Sequence, residues 1–163
     1  MRFTIDEAAR ATGGSFSIDP VSDQMEITSL TWDSRSVEPG ALYVALPGER
    51  VDGHAFAASA VAAGAVCVLA QHALDQASAD QIAAAGAAVI QVPDTQAAVT
   101  ALARAWRDRL EGRVIGITGS TGKTTTKNLV RDVLVAAGSV CATKGNQNNE
   151  LGVPNTVLAA QAD

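Results

Sequence analysis

Residues 115–127 read IGITGSTGKTTTK, an apolar run that passes into a loop of small residues and then into a lysine followed by threonines. The two glycines of this loop let the backbone turn so that successive N–H groups point inward, and a helix that begins near Lys123 adds the positive end of its dipole. The stretch therefore predicts a strand, a phosphate-binding loop and a helix. The residues leave one alternative open, a helix capped by Ser120 or Thr121 after a glycine-rich turn.

The loop departs from the spacing G-x-x-x-x-G-K-[ST] of common nucleotide-binding loops, because Ile117 stands where the first glycine belongs. The lysine ammonium is still able to bridge two phosphate groups, and the hydroxyl of Thr124 is able to bind Mg²⁺. A GTPase or a small kinase is disfavoured, since the spacing is broken and no later motif for base recognition is seen.

The elements around the loop predict a βαβ unit, with strands at 113–118 and 140–143 and a helix at 123–137. Upstream, strands are expected at 25–32, 41–46, 66–70 and 87–92, and helices at 6–11, 55–64 and 94–110. The fold class is therefore α/β, a small N-terminal α/β domain followed by the start of a parallel-sheet P-loop domain. We place the boundary at Pro93-Asp94, which gives domains 1–93 and 94–163, and we expect the second domain to be truncated.

Composition and charge exclude several classes of protein. The formal net charge is −5, so a general basic surface is absent and nucleic acid is not an expected partner. The N-terminus lacks the apolar core of a signal peptide, and the longest apolar run, residues 55–70, is too short for a membrane span. Cys67 and Cys141 have no C-x-x-C spacing, which favours buried free thiols. We expect a cytoplasmic monomer without membrane insertion.

A second polar block, KGNQNNELGVP, occupies residues 144–154. It follows the second strand of the predicted βαβ unit, and loops at the carboxyl ends of parallel strands are where such sheets bind ligands. Asparagine side chains supply donors and acceptors on short stems. A turn in which these side chains bond their own backbone is an equally good interpretation from the residues alone.

Two upstream loops, DSRSVEPG at 33–40 and PGERVDGH at 47–54, place four polar side chains at neighbouring strand ends. Ser34, Arg35, Arg50 and His54 offer a hydroxyl, two guanidinium groups and an imidazole, which are able to meet a diphosphate and a uracil edge. On the residues alone, ordinary surface loops are favoured, with Arg35 paired to Asp33.

These motifs together resemble the Mur ligase family over essentially the whole chain. TGSTGKTT at 118–125 is similar to the ATP loop of that family, whose form T-G-[ST]-x-G-K-[ST] has the same shortened glycine pattern. GNQNNELGVP at 145–154 resembles a block of the branch that adds D-alanyl-D-alanine to UDP-N-acetylmuramoyl-tripeptide. The D-S-R, P-G-x-L-[FY]-V-A and D-G-H elements within residues 33–54 are similar to the domain that holds the UDP-sugar.

The resemblance implies a set of ligands and site residues. The expected cofactors are ATP and Mg²⁺, with Thr124 as a metal ligand. Lys123, Asn146 and Asn149 are expected to be catalytic. The residues expected to bind the nucleotide are Gly119, Ser120, Thr121, Gly122, Lys123, Thr124 and Thr125, and those expected to bind the UDP-sugar substrate are Ser34, Arg35, Arg50, His54 and Asn148.

The implied function is that of an ATP-dependent amide ligase of peptidoglycan precursor synthesis, acting through an acyl phosphate. The family's Mg²⁺-binding glutamate, modified lysine and C-terminal domain are missing from the 163 residues, so we expect the chain by itself to be an inactive fragment. Two alternatives stay open. One is a ligase that adds a single amino acid, as in the branch that adds the third peptide residue or in folylpolyglutamate synthases; the other is a stand-alone UDP-sugar-binding module.

Overall fold

A computed structural model describes residues 1–22, 24–48, 51–145 and 149–161. Its strands are β1 (Phe3–Thr4), β2 (Ser15–Ile18), β3 (Glu26–Ile27), β4 (Ser29–Thr31), β5 (Ala41–Val44), β6 (Ala65–Ala70) and β7 (Ala88–Gln91). Its α-helices are α1 (Ile5–Thr12), α2 (Ala57–Ala62), α3 (Gln76–Ala84), α4 (Thr95–Arg107), α5 (Lys123–Leu134) and α6 (Gly152–Ala159), and short 3-10 turns cover Ser34–Ser36 and Gly53–Phe56.

The central sheet has the strand order β2-β7-β6-β5-β4. Strands β4 to β7 run parallel, and β2 pairs antiparallel with β7 at one edge. A separate antiparallel pair joins β1 to β3. The predicted α/β class with a parallel sheet is confirmed.

Helices cover both faces of this sheet. On one face, Leu42, Leu69 and Ile90 pack with α1 and α4; on the other, Tyr43, Val68 and Val89 pack with α2 and with Ile82 of α3. Neighbouring residues of each strand thus enter opposite cores, as the pleat requires. The small side chains of α2, Ala57 and Ala60, bring that helix close to the strands.

Helix α4 begins as predicted at Asp94, whose carboxylate accepts from the amides of Gln96 and Ala97 at 2.8 and 3.0 Å. Its apolar face, with Val99, Leu102 and Trp106, is buried in the same core as α1. Helix α4 therefore packs with the elements that the sequence places in the first domain.

Helix α6 is held on α4. The indole Nε1 of Trp106 donates to the carbonyl of Ala160 at 2.8 Å, and Leu158 is buried in the core that α4 shares with α1. Of the described helices, even α4, with 13 residues, falls short of what crossing a bilayer requires.

Three expectations about local structure are wrong. Residues 25–32 form two short strands in different sheets, because Ile27 pairs with Phe3 while Ser29–Thr31 pairs with β5. Residues 113–118 and 140–143 form no strand ladder among the described residues, although both segments line one cleft. Cys67 is buried as expected, but the thiol of Cys141 is exposed.

Replacing Leu102 with alanine tests the packing of α4 in this core. Leu102→Ala should lower the free energy of unfolding by about 2–5 kcal/mol, because it removes a buried side chain and leaves a cavity. Urea unfolding measures the change. The matched control is Thr100→Ala on the exposed face of the same helix, for which we expect a change within about 0.5 kcal/mol. Equal effects of the two substitutions would contradict the packing.

Candidate functional sites

The predicted phosphate loop leads into α5 through two glycines with positive φ. Gly122 lies at φ +77° directly before the helix, and Gly119 lies at φ +152°. Side chains with a Cβ rarely adopt these conformations. No side chain caps α5, so the alternative of a cap by Ser120 or Thr121 is not what the structure has. The first amides of the helix therefore face outward without a side-chain acceptor.

Lys123 lies at the first position of α5 and folds back over the loop. Its ammonium donates to the carbonyl of Gly119, so the side chain spans the loop from the start of α5 back to Gly119. Residues 119–122 are exposed, and so are Thr124 and Thr125 in the first turn of α5. The amides, the ammonium and the Thr124 hydroxyl therefore lie together at an accessible surface.

A cleft of about 780 Å³ opens beside this loop. It is lined by residues 113–117, by residues 139–143 with Gly145, and by side chains of α5 and α6. Lys123, Thr124 and Lys127 contribute its charged and polar groups near the loop.

The second polar block begins beside the same cleft. The Lys127 ammonium donates to the carbonyls of Thr143 and Gly145 at 2.5 and 2.6 Å. Asn149 accepts from the amide of Gly152 at 2.8 Å and so satisfies a donor at the start of α6. The side chain of Asn149 thus bonds local backbone, one of the two interpretations that the residues left open. Asn146 and Asn148 lie outside the described residues.

The loop after β4 contains a local ion pair. The carboxylate of Asp33 accepts from the Arg35 guanidinium at 2.9 and 2.8 Å and from the Arg35 amide at 3.0 Å. These hydrogen bonds, that of the guanidinium first, lower the pKa of Asp33 to about 2. The Arg35 side chain is 87% exposed, so the pair lies at the surface, and Ser34 next to it is half-buried.

The loop after β5 is organised around His54, whose side chain is only 4% exposed. Its Nε2 accepts from the amide of Gln71 at 2.9 Å, so the proton of the neutral ring is on Nδ1 and is donated to Asp52 at 2.6 Å. Both ring nitrogens of His54 are therefore occupied within the protein. The imidazole fixes the loop to the end of β6, and Arg50, expected beside it, lies outside the described residues.

Further contacts join the carboxyl ends of the parallel strands. The Tyr43 hydroxyl donates to the carbonyl of Gly53 at 2.9 Å, and the side-chain oxygen of Gln71 lies 3.4 Å from the amide of Thr95. A Cβ at Gly53 would lie 2.8 Å from the backbone N of Leu46, so this position of the D-G-H element needs glycine. The loops after β5, β6 and β7 thus form one connected surface next to the Asp33–Arg35 pair.

Asp52, His54 and His72 bring three potential metal-ligand atoms within 4.8 Å of one another, but their hydrogen bonds do not suit a metal ion. A metal on Nδ1 of neutral His54 would require the proton on Nε2, which faces the N–H of Gln71. Two donors would then oppose each other. The His72 ring stacks on His54 at 3.6 Å and bonds the second oxygen of Asp52 at 3.0 Å, which completes a hydrogen-bonded cluster.

Three of the residues that organise these sites were not identified from the sequence. Gln71 and His72 follow β6 without a motif of their own, and their role depends on His54, which lies 17 and 18 positions away. Lys127 was visible only as one of three lysines confined to residues 123–144. That confinement was the one signal that pointed to it.

Acid should weaken the loop cluster through Asp52. The hydrogen bonds from the amide and then the ring of His54 lower its pKa from 3.8 to about 2. Its contribution to stability is therefore present above about pH 4 and is lost as the pH falls toward about pH 2. Asp52→Asn should reduce the dependence of the unfolding free energy on pH in that window, as followed by urea unfolding at several pH values. An unchanged dependence would contradict the role of this carboxylate.

Comparisons with known proteins agree with this geometry. The model for "Mur ligase family, catalytic domain" matches residues 26–107, and the model for "Mur ligase middle domain" matches residues 117–163. The UDP-N-acetylmuramoyl-tripeptide--D-alanyl-D-alanine ligase of Synechocystis sp. is 40% identical over 90% of the chain, and that of Bacillus subtilis is 39% identical over 96%. The chain spans only 31% and 33% of those two proteins, about a third of their length.

Solved structures give the same relationship. A crystal structure of MurF from Acinetobacter baumannii has a TM-score of 0.83 and 34% identity over 99% of this chain, which covers 34% of that protein. MurF ligase from Thermotoga maritima in complex with ADP has a TM-score of 0.68 and 32% identity over 81% of this chain, which covers 29% of that one. The matched family models, the sheet and the loop before α5 lead to one conclusion: this chain belongs to the Mur ligase family.

Proposed function

We propose that the protein carrying this chain is a MurF-type ligase, which joins D-alanyl-D-alanine to UDP-N-acetylmuramoyl-tripeptide at the expense of ATP. The observation that carries the proposal is the start of α5, where uncapped amides follow two positive-φ glycines and Lys123 lies across the loop. The names and identities of the relatives support the choice of substrates.

The phosphate loop supplies groups that match a nucleotide polyphosphate. Backbone amides and the positive end of the helix dipole favour anions, and no heavy atom lies within 4 Å of the position that a Cβ at Gly122 would take, which leaves room for a ligand. Lys123 would exchange its bond to the Gly119 carbonyl for a phosphate oxygen. The amides of residues 119–125 would hold the rest of the phosphate chain.

The exposed hydroxyl of Thr124 suits Mg²⁺, which prefers oxygen ligands. A bound Mg²⁺ supplies positive charge to the phosphate oxygens. Thr124 would hold the ion beside the loop, because its position in the first turn of α5 is set by the same backbone that forms the loop.

The chemistry is the activation of a carboxylate, which is a poor acyl donor by itself. An oxygen of the peptide carboxylate attacks the γ-phosphorus of ATP, the bond to ADP breaks, and an acyl phosphate forms. The amine of D-alanyl-D-alanine then attacks the carbonyl carbon, loses a proton and displaces phosphate. Lys123 and the loop amides stabilise the negative charge that is redistributed during phosphoryl transfer.

We assign the UDP-sugar to the loops at the carboxyl edge of β4 to β6, with the exposed Arg35 and the half-buried Ser34 as contacts and His54 as the residue that holds the neighbouring loop in place. Helix α4 packs on α1 of the first domain. We therefore propose that the domain boundary lies after Arg107 and not at Pro93. We further propose that the enzyme is monomeric and lies in the cytoplasm.

The function is tested on the full-length protein by measuring ADP release. We expect release that depends on both UDP-N-acetylmuramoyl-tripeptide and D-alanyl-D-alanine. Replacement of the dipeptide by single amino acids separates the alternatives, since turnover with one amino acid alone would favour a ligase of the branch that adds the third residue. The absence of stimulation by either substrate would reject the assignment.

Replacing Lys123 tests the phosphate loop. Lys123→Ala should lower kcat/KM for ATP by at least about 100-fold, because the charge that meets the transferring phosphoryl group is gone. Binding of the UDP-sugar, measured by calorimetry, should stay within about threefold, since its proposed loops after β4 and β5 make none of the described hydrogen bonds with the phosphate loop. Retained turnover would contradict the role of Lys123.

A further inference from the structure

Lys127 lies one helical turn after Lys123 on α5, yet it bonds a different part of the chain. Its ammonium donates to the carbonyls of Thr143 and Gly145, 16 and 18 residues away, at 2.5 and 2.6 Å. Hydrogen bonds from a charged donor are short and strong, so these two contacts form a tight link. Lys127 is half-buried against the segment that it holds.

The segment that receives these bonds has little else to hold it. In the part of the chain that the structure describes, residues 140–145 form no strand ladder, and their other hydrogen bond is the Cys141 thiol to the carbonyl of Thr156 at 3.5 Å. A thiol is a weak donor. Among the described hydrogen bonds, those from Lys127 are therefore the strongest link between α5 and Thr143 and Gly145.

The link connects two parts of one proposed site. Helix α5 begins at the phosphate loop, and Gly145 directly precedes the polar block whose last asparagine, Asn149, is fixed by the amide of Gly152. Because Lys127 is rigidly spaced from Lys123 by one turn of helix, it sets the distance between the loop and the start of that block.

We propose that Lys127 is a positioning residue, which sets the second polar block against the phosphate loop without itself binding phosphate. The inference rests on the proposed ligase function. Its two bonds to carbonyls distinguish it from Lys123, whose one described bond lies within the phosphate loop.

Three variants of the full-length protein test this role. Lys127→Met keeps an unbranched side chain, one heavy atom shorter, and removes the charge; Lys127→Arg keeps a donor, and Asp132→Asn is the control on the same helix. Asp132 is exposed, pairs with its neighbour Arg131 and is not among the residues that line the cleft. In Lys127→Met we expect kcat to fall about 10- to 100-fold, while the Kd for ATP stays within about threefold of wild type. Lys127→Arg should recover most of the loss, and Asp132→Asn should resemble wild type.

NMR relaxation gives a readout that does not depend on activity. Lys127→Met should lower the backbone order parameters of residues 141–145 to below about 0.6 and leave residues 95–107 of α4 unchanged. Unchanged order parameters in 141–145, or unchanged kcat in an active enzyme, would overturn the proposal. A loss of ATP affinity equal to that of Lys123→Ala would assign Lys127 to phosphate binding and overturn it as well. If wild type releases no ADP with both substrates, the ligase function fails, and the relaxation experiment still decides whether Lys127 holds the segment.

Discussion

The burial of both faces of the parallel sheet is the constraint on which the rest of the structure depends. Strands β5, β6 and β7 send alternate side chains into two cores, so helices must cover each face. This arrangement gives all the parallel strands one carboxyl edge, and the loops that leave that edge are joined by His54, Gln71 and Thr95. The proposed UDP-sugar surface therefore follows from the direction of the strands. Its polar side chains need only short loops to meet.

The same constraint reaches the phosphate loop through α4. That helix closes one core with Leu102 and Trp106, and the Trp106 indole holds the end of α6. Helix α6 in turn carries the amide that fixes Asn149, while Lys127 fixes the other described side of the polar block. Each contact is modest by itself, but together these contacts link the buried sheet to the residues that would bind phosphate.

Local signals in the sequence were sufficient for most of the elements. The expected helices at 6–11, at 94–110 and directly after Gly122 are all present, because each depends on a few neighbouring residues. Strand β2 was missed because its four residues, Ser15–Ile18, are short and partly polar. Strand pairing was the harder problem: Ile27 and Ser29 lie two positions apart but pair with different partners, which depends on contacts with distant residues.

The candidate sites divide in the same way. The positive-φ glycines and the place of Lys123 at the start of α5 follow from a contiguous stretch of sequence, whereas the cluster of Asp52, His54 and His72 is formed by two loops brought together by the sheet. The burial of His54 could not be predicted from its position in an otherwise polar loop. The Asp33–Arg35 pair, in contrast, was available from the sequence because its members are two residues apart.

The transfer of oxygen from the substrate carboxylate to the released phosphate tests the proposed carboxylate activation most directly. The full-length enzyme would be supplied with UDP-N-acetylmuramoyl-tripeptide that carries a heavy oxygen isotope in the terminal carboxylate, together with ATP and D-alanyl-D-alanine. An acyl phosphate intermediate predicts that one labelled oxygen leaves with the released phosphate in each turnover, because the acyl C–O bond breaks when the amine displaces phosphate. Phosphate released without the label would contradict an acyl phosphate. It would also contradict the role in phosphoryl transfer that we propose for the loop of residues 119–125.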